Sequence, residues 1–260
     1  MMYDSDKFTR AWSSSDPLWG GWCSIPSAAT AEMIGRAGYD WVGIDHQHGS
    51  MSFAGVDSML QALAVSRVPA FVRVSSADAV AEICKVLDYG AAGIIVPVVN
   101  TAEQAEAAAQ ACRYEPRGIR SWAGPGVRAA MAEPSYTPQT ANERVKCIVM
   151  IETLEAVKRI DEIVDVPGID GIFVGPSDLA HSGGLPPSLF ADDPEHVARV
   201  EHVLFAARRR GIVPGIYAGT VAAGRKWAAA GARFMALTDD SALLRMAAAQ
   251  MVRDANRVES

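Results

Sequence analysis

The segment CIVMIETLEAVKRIDEIVDVPGIDGIFV, Cys147–Val174, decides the fold. It opens with a short apolar run (Cys147–Ile151), crosses a charged stretch of helical composition (Leu154–Val164), and returns to a second apolar run (Gly171–Val174). Runs this short and rich in β-branched residues read as strands, and near-continuous hydrophobicity is what a strand covered on both faces needs. Strand, helix and strand in that order form a βαβ unit, with parallel strands joined by a right-handed crossover.

Working outward, the same unit recurs. Further apolar runs lie at Leu18–Ile25, Asp40–Asp45, Ala70–Val74, Gly93–Val98, Ile212–Ile216 and Phe234–Thr238, eight strands in all. Helical stretches separate them at Ala28–Ala37, Asp78–Tyr89, Ala102–Cys112, Pro194–Arg210 and Val221–Ala230. Several start after Ser, Thr or Asp and stop at Gly, as helix ends prefer. Eight units predict an α/β chain folded as one (β/α)8 TIM barrel over 18–260, after an N-terminal extension at 1–17. The 260 residues suit this, since such a barrel takes about 250. A doubly wound open sheet is the alternative. It lacks its usual Gly-rich fingerprint, because Gly20, Gly21 and Trp22 fall inside the first run, so no nucleotide cofactor is expected.

Two segments stand outside this rhythm. Arg113–Arg144, with Pro116, Pro125, Pro134 and Pro138, is a long connection of the kind that usually has a function. Ser241–Val258 reads as a final helix whose Leu243, Leu244, Met246, Met251 and Val252 are too apolar for solvent. We expect it to pack on a neighbouring subunit.

The formal charge is −6, and its 24 basic and 30 acidic residues are mixed, with no basic block for nucleic acid or an anionic membrane. Cys23, Cys84, Cys112 and Cys147 are scattered and form no CxxC pair, which argues for reduced thiols over a zinc site. The start, MMYDSDKFTR, has no apolar signal-peptide region, and no apolar run reaches the ~18 residues of a membrane span. These features predict a cytoplasmic protein.

A barrel enzyme places its chemistry at the C-terminal ends of its strands. Strand five runs into Glu152 and strand six into Gly175-Pro176-Ser177-Asp178. Adjacent strands lie about 4.8 Å apart, so carboxylates at equal heights would converge on one cation. Without His or Cys between them they form a hard site for Mg²⁺ or Mn²⁺, completed by water. The competing duty for each is helix capping. The Gly175-Pro176-Ser177 turn also offers the N–H groups of Ser177 and Asp178 to an anion.

Strand two ends in Asp45-His46-Gln47-His48, where Asp45 is placed to orient the His48 imidazole for proton transfer; alternation aims His46 elsewhere. Arg73 closes the apolar strand FVRV and needs an anionic partner, either a structural carboxylate or a substrate. The five lysines, Lys7, Lys85, Lys146, Lys158 and Lys226, all miss the strand C-terminal ends, which leaves no candidate for a Schiff base.

The segments AGYDWVGIDHQHG (Ala37–Gly49), VRV (Val72–Val74), VLDYGAAGIIVPVVNTAEQA (Val86–Ala105), YEPRGIRS (Tyr114–Ser121), VMIET (Val149–Thr153) and VPGIDGIFVGPSDLAHSGG (Val166–Gly184) resemble the HpcH/HpaI aldolase family in order and spacing, over roughly Leu18 to Asp240. The resemblance implies a class II aldolase that cleaves 4-hydroxy-2-oxo acids to an aldehyde and pyruvate, or a related acid such as hydroxypyruvate. It implies Glu152 and Asp178 as ligands of Mg²⁺, Mn²⁺ or Co²⁺, and His48 with Asp45 in proton transfer. It implies Arg73 on the keto or enolate oxygen, and the Gly175–Asp178 turn on the substrate carboxylate. It also implies a homo-oligomer, trimer or hexamer, in which Asp88 approaches a neighbour's site. The well-studied branch has Gln at the position of Met150, Glu at Gln47 and a small or polar residue at His181, so the second-substrate pocket differs here. An acyl-CoA lyase like the citrate lyase β subunit would need extra chain for coenzyme A. A non-catalytic barrel would not need polar strand ends.

Overall fold

The computed structural model describes residues 3–124, 127–132, 136–190 and 192–257; Pro125, Pro134 and Val258 lie outside them. The chain runs α1 (Ser5–Ser13), β1 (Leu18–Cys23), α2 (Ala28–Gly35), β2 (Trp41–Asp45), α3 (Phe53–Ser66), β3 (Ala70–Arg73), α4 (Val80–Asp88) and β4 (Gly93–Val96). It continues through α5 (Ala102–Ala111), α6 (Arg128–Ala132), α7 (Pro138–Arg144), β5 (Lys146–Ile151), α8 (Leu154–Lys158), α9 (Ile160–Val164), β6 (Gly171–Val174) and α10 (Pro176–Ser182). The last elements are α11 (Pro194–Arg209), β7 (Val213–Tyr217), α12 (Val221–Ala229), β8 (Phe234–Asp239) and α13 (Asp240–Ala255). The strands are parallel and close in sequence order, β8 pairing with β1, so the sheet is a barrel and the open-sheet alternative falls.

Apolar residues pack in two shells. Outward-facing strand residues such as Ile44, Val72, Ile94 and Val149 meet the helices. Inward-facing Trp41, Phe71, Phe173 and Phe234 fill the lumen, with Trp41 and Phe234 stacked at 3.7 Å between ring centroids. These rings fit because glycine faces them. A Cβ at Gly20 would sit 2.2 Å from the Trp41 ring, and one at Gly43 2.5 Å from Trp22. The glycines of the first run are therefore packing devices.

The segment read as an N-terminal extension carries α1, which is capped by Asp4 and buries Phe8 and Trp12 against Phe71 and Phe234. It closes the end of the lumen where the strands begin. The described residues of Arg113–Arg144 start at that same end, after α5, and return to it at β5. Both ends of the long connection are thus on the face opposite the mouth of its own barrel. At the other extreme of the chain, α13 buries Asp240 but leaves Leu244, Met246, Met251 and Val252 in solvent. Among the described residues no helix is long and apolar enough to cross a membrane.

Candidate active site

The C-terminal mouth holds a cavity of about 300 Å³ lined by Trp22, Asp45, His48, Arg73, Met150, Gly175, Pro176, Ser177, Asp178, Tyr217 and Asp239, among others. A second cavity of about 260 Å³ adjoins it, sharing His48 and Asp178 and adding Gln47, Val98, Glu152, Thr153 and His181. The residues expected from strands two, three, five and six therefore meet in one place. Asp88 does not. It ends α4 near the start of β4, on the opposite face, and accepts from Nη2 of buried Arg120 at 2.7 Å.

Glu152 follows the last residue of β5 and is buried. The register Ile151↔Val174 sets it level with Gly175. Asp178 stands three residues further on, in the first turn of α10, so the two carboxylates do not share a strand height as expected. The helical turn brings Asp178 back toward Glu152. Gly175 matters for this approach, since a Cβ there would lie 2.3 Å from Glu152 Oε2. Burial raises the Glu152 carboxyl to about 7, with the charge of Asp178 pushing the same way; a backbone N–H and Arg73 pull against them. That N–H belongs to Val98 and donates to Oε1 at 2.7 Å. Val98 adopts φ +53°, a left-handed conformation that costs a β-branched residue energy and here turns its N–H onto the carboxylate.

Asp45 and Arg73 pair across neighbouring strands. Arg73 Nε donates to Asp45 Oδ1 at 3.0 Å and Nη2 to Oδ2 at 2.6 Å, the two-pronged geometry in which arginine binds a carboxylate best. The Trp22 indole N–H donates to Oδ2 at 3.3 Å, and the main-chain N–H of His48 to Oδ1 at 3.1 Å. Burial works against this carboxylate, yet the Arg73 contacts together with the His48 and Trp22 N–H bonds outweigh it and hold the group below its ordinary range. Asp45 thus meets His48 at the backbone, and its carboxylate orients Arg73 instead of the imidazole. The His48 ring is exposed at the junction of the two cavities. His46 turns away to Glu82, Nδ1 to Oε1 at 2.7 Å.

The helix α10 begins with Gly175 as N-cap and no side-chain cap, so Ser177 and Asp178 present main-chain N–H groups at the rim. Lys146 lies at the far end of the barrel, beside Asp170 and over the Trp12 ring. No lysine is among the described residues lining either cavity.

Sequence reasoning missed the sector from β7 through β8 to β1. Tyr217 ends β7, and its hydroxyl donates to Asp239 Oδ2 at 3.3 Å. Asp239 ends β8 and caps α13, accepting from Ala242 N at 2.8 Å and Ser241 Oγ at 2.6 Å. Buried Asp240 accepts from the Ser24 and Ile25 amides and ties the β1 loop down. Polar residues at strand ends were the available signal, but the expected eighth run stopped at Thr238, one residue short.

The profile of the HpcH/HpaI aldolase/citrate lyase family matches residues 19–247. A hydroxypyruvate/pyruvate aldolase of Rhizorhabdus wittichii is 39% identical over 96% of this chain and 98% of its own. A 4-hydroxy-2-oxo-heptane-1,7-dioate aldolase of Escherichia coli is 35% identical over 94% and 92%. The crystal structure of an HpcH/HpaI aldolase/citrate lyase family protein from Burkholderia cenocepacia superposes with a TM-score of 0.90 at 32% identity, over 98% of this chain and all of that one. A closed barrel whose polar strand ends gather at one mouth, matched along its length by aldolases, is a carbon–carbon lyase, and the chain belongs to the HpcH/HpaI aldolase/citrate lyase family.

Proposed function

We propose that the protein is a class II aldolase that reversibly cleaves 4-hydroxy-2-oxo acids to an aldehyde and pyruvate or hydroxypyruvate, with Glu152 and Asp178 holding Mg²⁺, Mn²⁺ or Co²⁺. The observation that carries this reading is the buried Glu152 carboxylate set beside Asp178 in a space Gly175 keeps open. Two carboxylates drawn together at a cavity, with burial opposing the charge of one, are a donor set that a hard cation stabilises. Among the described residues no three His, Cys, Asp or Glu groups cluster to enclose an ion, so water and substrate oxygens would complete the shell. Such a cation supplies Lewis-acid stabilisation of the negative charge that C–C cleavage leaves on the 2-oxo acid fragment.

The chain's own residues supply the rest. Asp45 holds Arg73 in a fixed orientation beside the mouth, where its guanidinium stabilises charge on the 2-oxo oxygen. The uncapped start of α10 offers N–H groups to the substrate carboxylate. His48 moves the proton of the C4 hydroxyl. For His48→Ala we expect pyruvate release from a 4-hydroxy-2-oxo acid to fall about 10²-fold, the low end for a general acid–base group, because among the described residues no side-chain hydrogen bond orients this ring. Steady-state assay beside NMR exchange of the pyruvate methyl protons checks it. Wild-type cleavage in the variant would make His48 a bystander.

The exposed apolar face of α13 supports a homo-oligomer, the assembly in which Asp88 would reach a second subunit. We expect multi-angle light scattering at micromolar concentration to report a trimer or hexamer, and Leu244→Glu with Met251→Glu to shift the mass downward. A wild-type monomer with full activity would end this idea.

A further inference from the structure

One wall of the mouth carries none of the residues assigned above to the cation, the 2-oxo acid or proton transfer. It is built by Tyr217 from the end of β7, Asp239 from the end of β8, Ser24 beyond β1, Ser241 at the start of α13, and Leu189. We propose that this wall is the acceptor site, and that it takes short, uncharged hydroxyaldehydes while rejecting aldehydes that carry a carboxylate. This rests on the aldolase reading of the same mouth. In the addition direction, C3 of the 2-oxo acid bonds to the aldehyde carbon and the aldehyde oxygen gains a proton. No further reactant is consumed.

Hydroxyl groups and one carboxylate dominate the wall. Tyr217 Oη donates to Asp239 Oδ2 at 3.3 Å and Ser241 Oγ to Oδ1 at 2.6 Å, while Ser24 Oγ donates to Asp240 Oδ1 at 3.0 Å. With their protons committed, these hydroxyl oxygens keep lone pairs for a donor. A substrate hydroxyl is such a donor; an alkyl aldehyde is not. A site built to bond a hydroxyl discriminates strongly against an analogue that leaves it unpaired. The Trp22 ring, 5.7 Å from that of Tyr217, and Leu189 supply apolar surface for the short carbon chain.

Charge sharpens the choice. Arg73 is the one Lys or Arg among the described residues lining either cavity, and Asp45 already takes two prongs of its fork. Asp239, Asp178 and Glu152 are acidic. Arg245, on α13, lies outside the lining, where it donates to Ser241 Oγ at 3.1 Å and offsets part of the Asp239 charge. A carboxylate tail on this wall would lie beside Asp239 without a cation of its own, a costly placement that acts as selection against it.

The experiment measures kcat/KM for aldol addition by the full-length protein, with pyruvate as donor and Mg²⁺ or Mn²⁺ supplied. Acceptors are glycolaldehyde, glyceraldehyde, propionaldehyde, glyoxylate and succinic semialdehyde. We expect the hydroxyaldehydes to exceed propionaldehyde about tenfold and the carboxylated aldehydes about 10²-fold. Tyr217→Phe should shrink the glycolaldehyde-to-propionaldehyde ratio toward one. Asp239→Asn, which retains an N-capping side chain, should raise the succinic semialdehyde-to-glycolaldehyde ratio at least tenfold. A wild-type preference for succinic semialdehyde or glyoxylate overturns the proposal, as do ratios that neither variant moves. Exchange of pyruvate methyl protons with solvent, measured without acceptor, reports the donor half alone. Its absence would sink the aldolase reading, whereas exchange with the wrong acceptor order sinks only this assignment.

Discussion

Stripping the protein with a chelator is expected to abolish turnover and Mg²⁺, Mn²⁺ or Co²⁺ to restore it, and replacing Glu152 or Asp178 should remove cation binding and turnover together. Cleavage of C3–C4 leaves an electron pair that needs a sink, and enzymes supply either an iminium on lysine or a Lewis-acid cation. Lys146 is partly freed for such chemistry, since burial lowers its pKa, but it lies across the barrel from the mouth. Glu152 and Asp178 line the cavity itself. Losing the sink forfeits several kcal/mol of transition-state stabilisation, so Glu152→Gln and Asp178→Asn should each lose roughly 10³-fold or more in kcat. Calorimetry with Mn²⁺ should show the matching loss of binding. Glu152→Gln also separates function from folding. Its amide oxygen keeps the Val98 N–H bond while the buried charge disappears, so the cation-free variant should melt no lower than the wild type. Borohydride with pyruvate should leave the protein's mass unchanged. Activity that persists in the chelated protein, or a reduced pyruvyl adduct, would overturn the central reading.

Arg73→Ala is expected to cut kcat by about 10²–10³ while Mn²⁺ affinity stays close to wild type. Arg73 touches neither Glu152 nor Asp178 through a hydrogen bond among the described residues, so the cation site should survive its loss. Asp45 would fare worse. Its buried carboxylate would keep the His48 amide and Trp22 indole but lose its counter-ion, which for a buried pair costs about 3–5 kcal/mol of stability. The melting temperature should therefore fall along with turnover. Arg73→Lys distinguishes the two effects, since it returns a positive charge without the two-pronged fit. It should recover much of the stability and little of the rate. Near-normal kcat in either variant would remove Arg73 from the mechanism.

Residues far from one another in sequence explain what was legible beforehand and what was not. The βα rhythm showed in the apolar runs because a strand covered on both faces must be apolar throughout, a condition each segment meets by itself. Polar strand ends follow from the same pattern, so Glu152, Asp178, Arg73, Asp45 and His48 stand out as candidates in the sequence alone. The role of Asp45 was not legible. Proximity in sequence pointed to the His48 ring, three residues on, but closure of the barrel brings Arg73, 28 residues away, and Trp22, 23 residues away, onto the carboxylate. A guanidinium fork aligned by two paired strands displaces a loop imidazole from that acceptor.

The sequence by itself determined the barrel, because period and composition are local properties of the chain, and its motifs carried the resemblance to the HpcH/HpaI aldolases that implies the lyase chemistry. Tertiary structure alone decided the placement of Asp178 on a helical turn above Glu152, since that depends on how α10 leaves β6. It alone set α1 as the plug of the lumen and both ends of Arg113–Arg144 at that same end, opposite the mouth. It also assembled the Tyr217–Asp239 wall, where the β1 loop is fastened by the bond from Ser24 N to Asp240, 216 residues apart. Contacts of that range exist only once the eighth strand pairs with the first, and nothing in either segment taken separately encodes them.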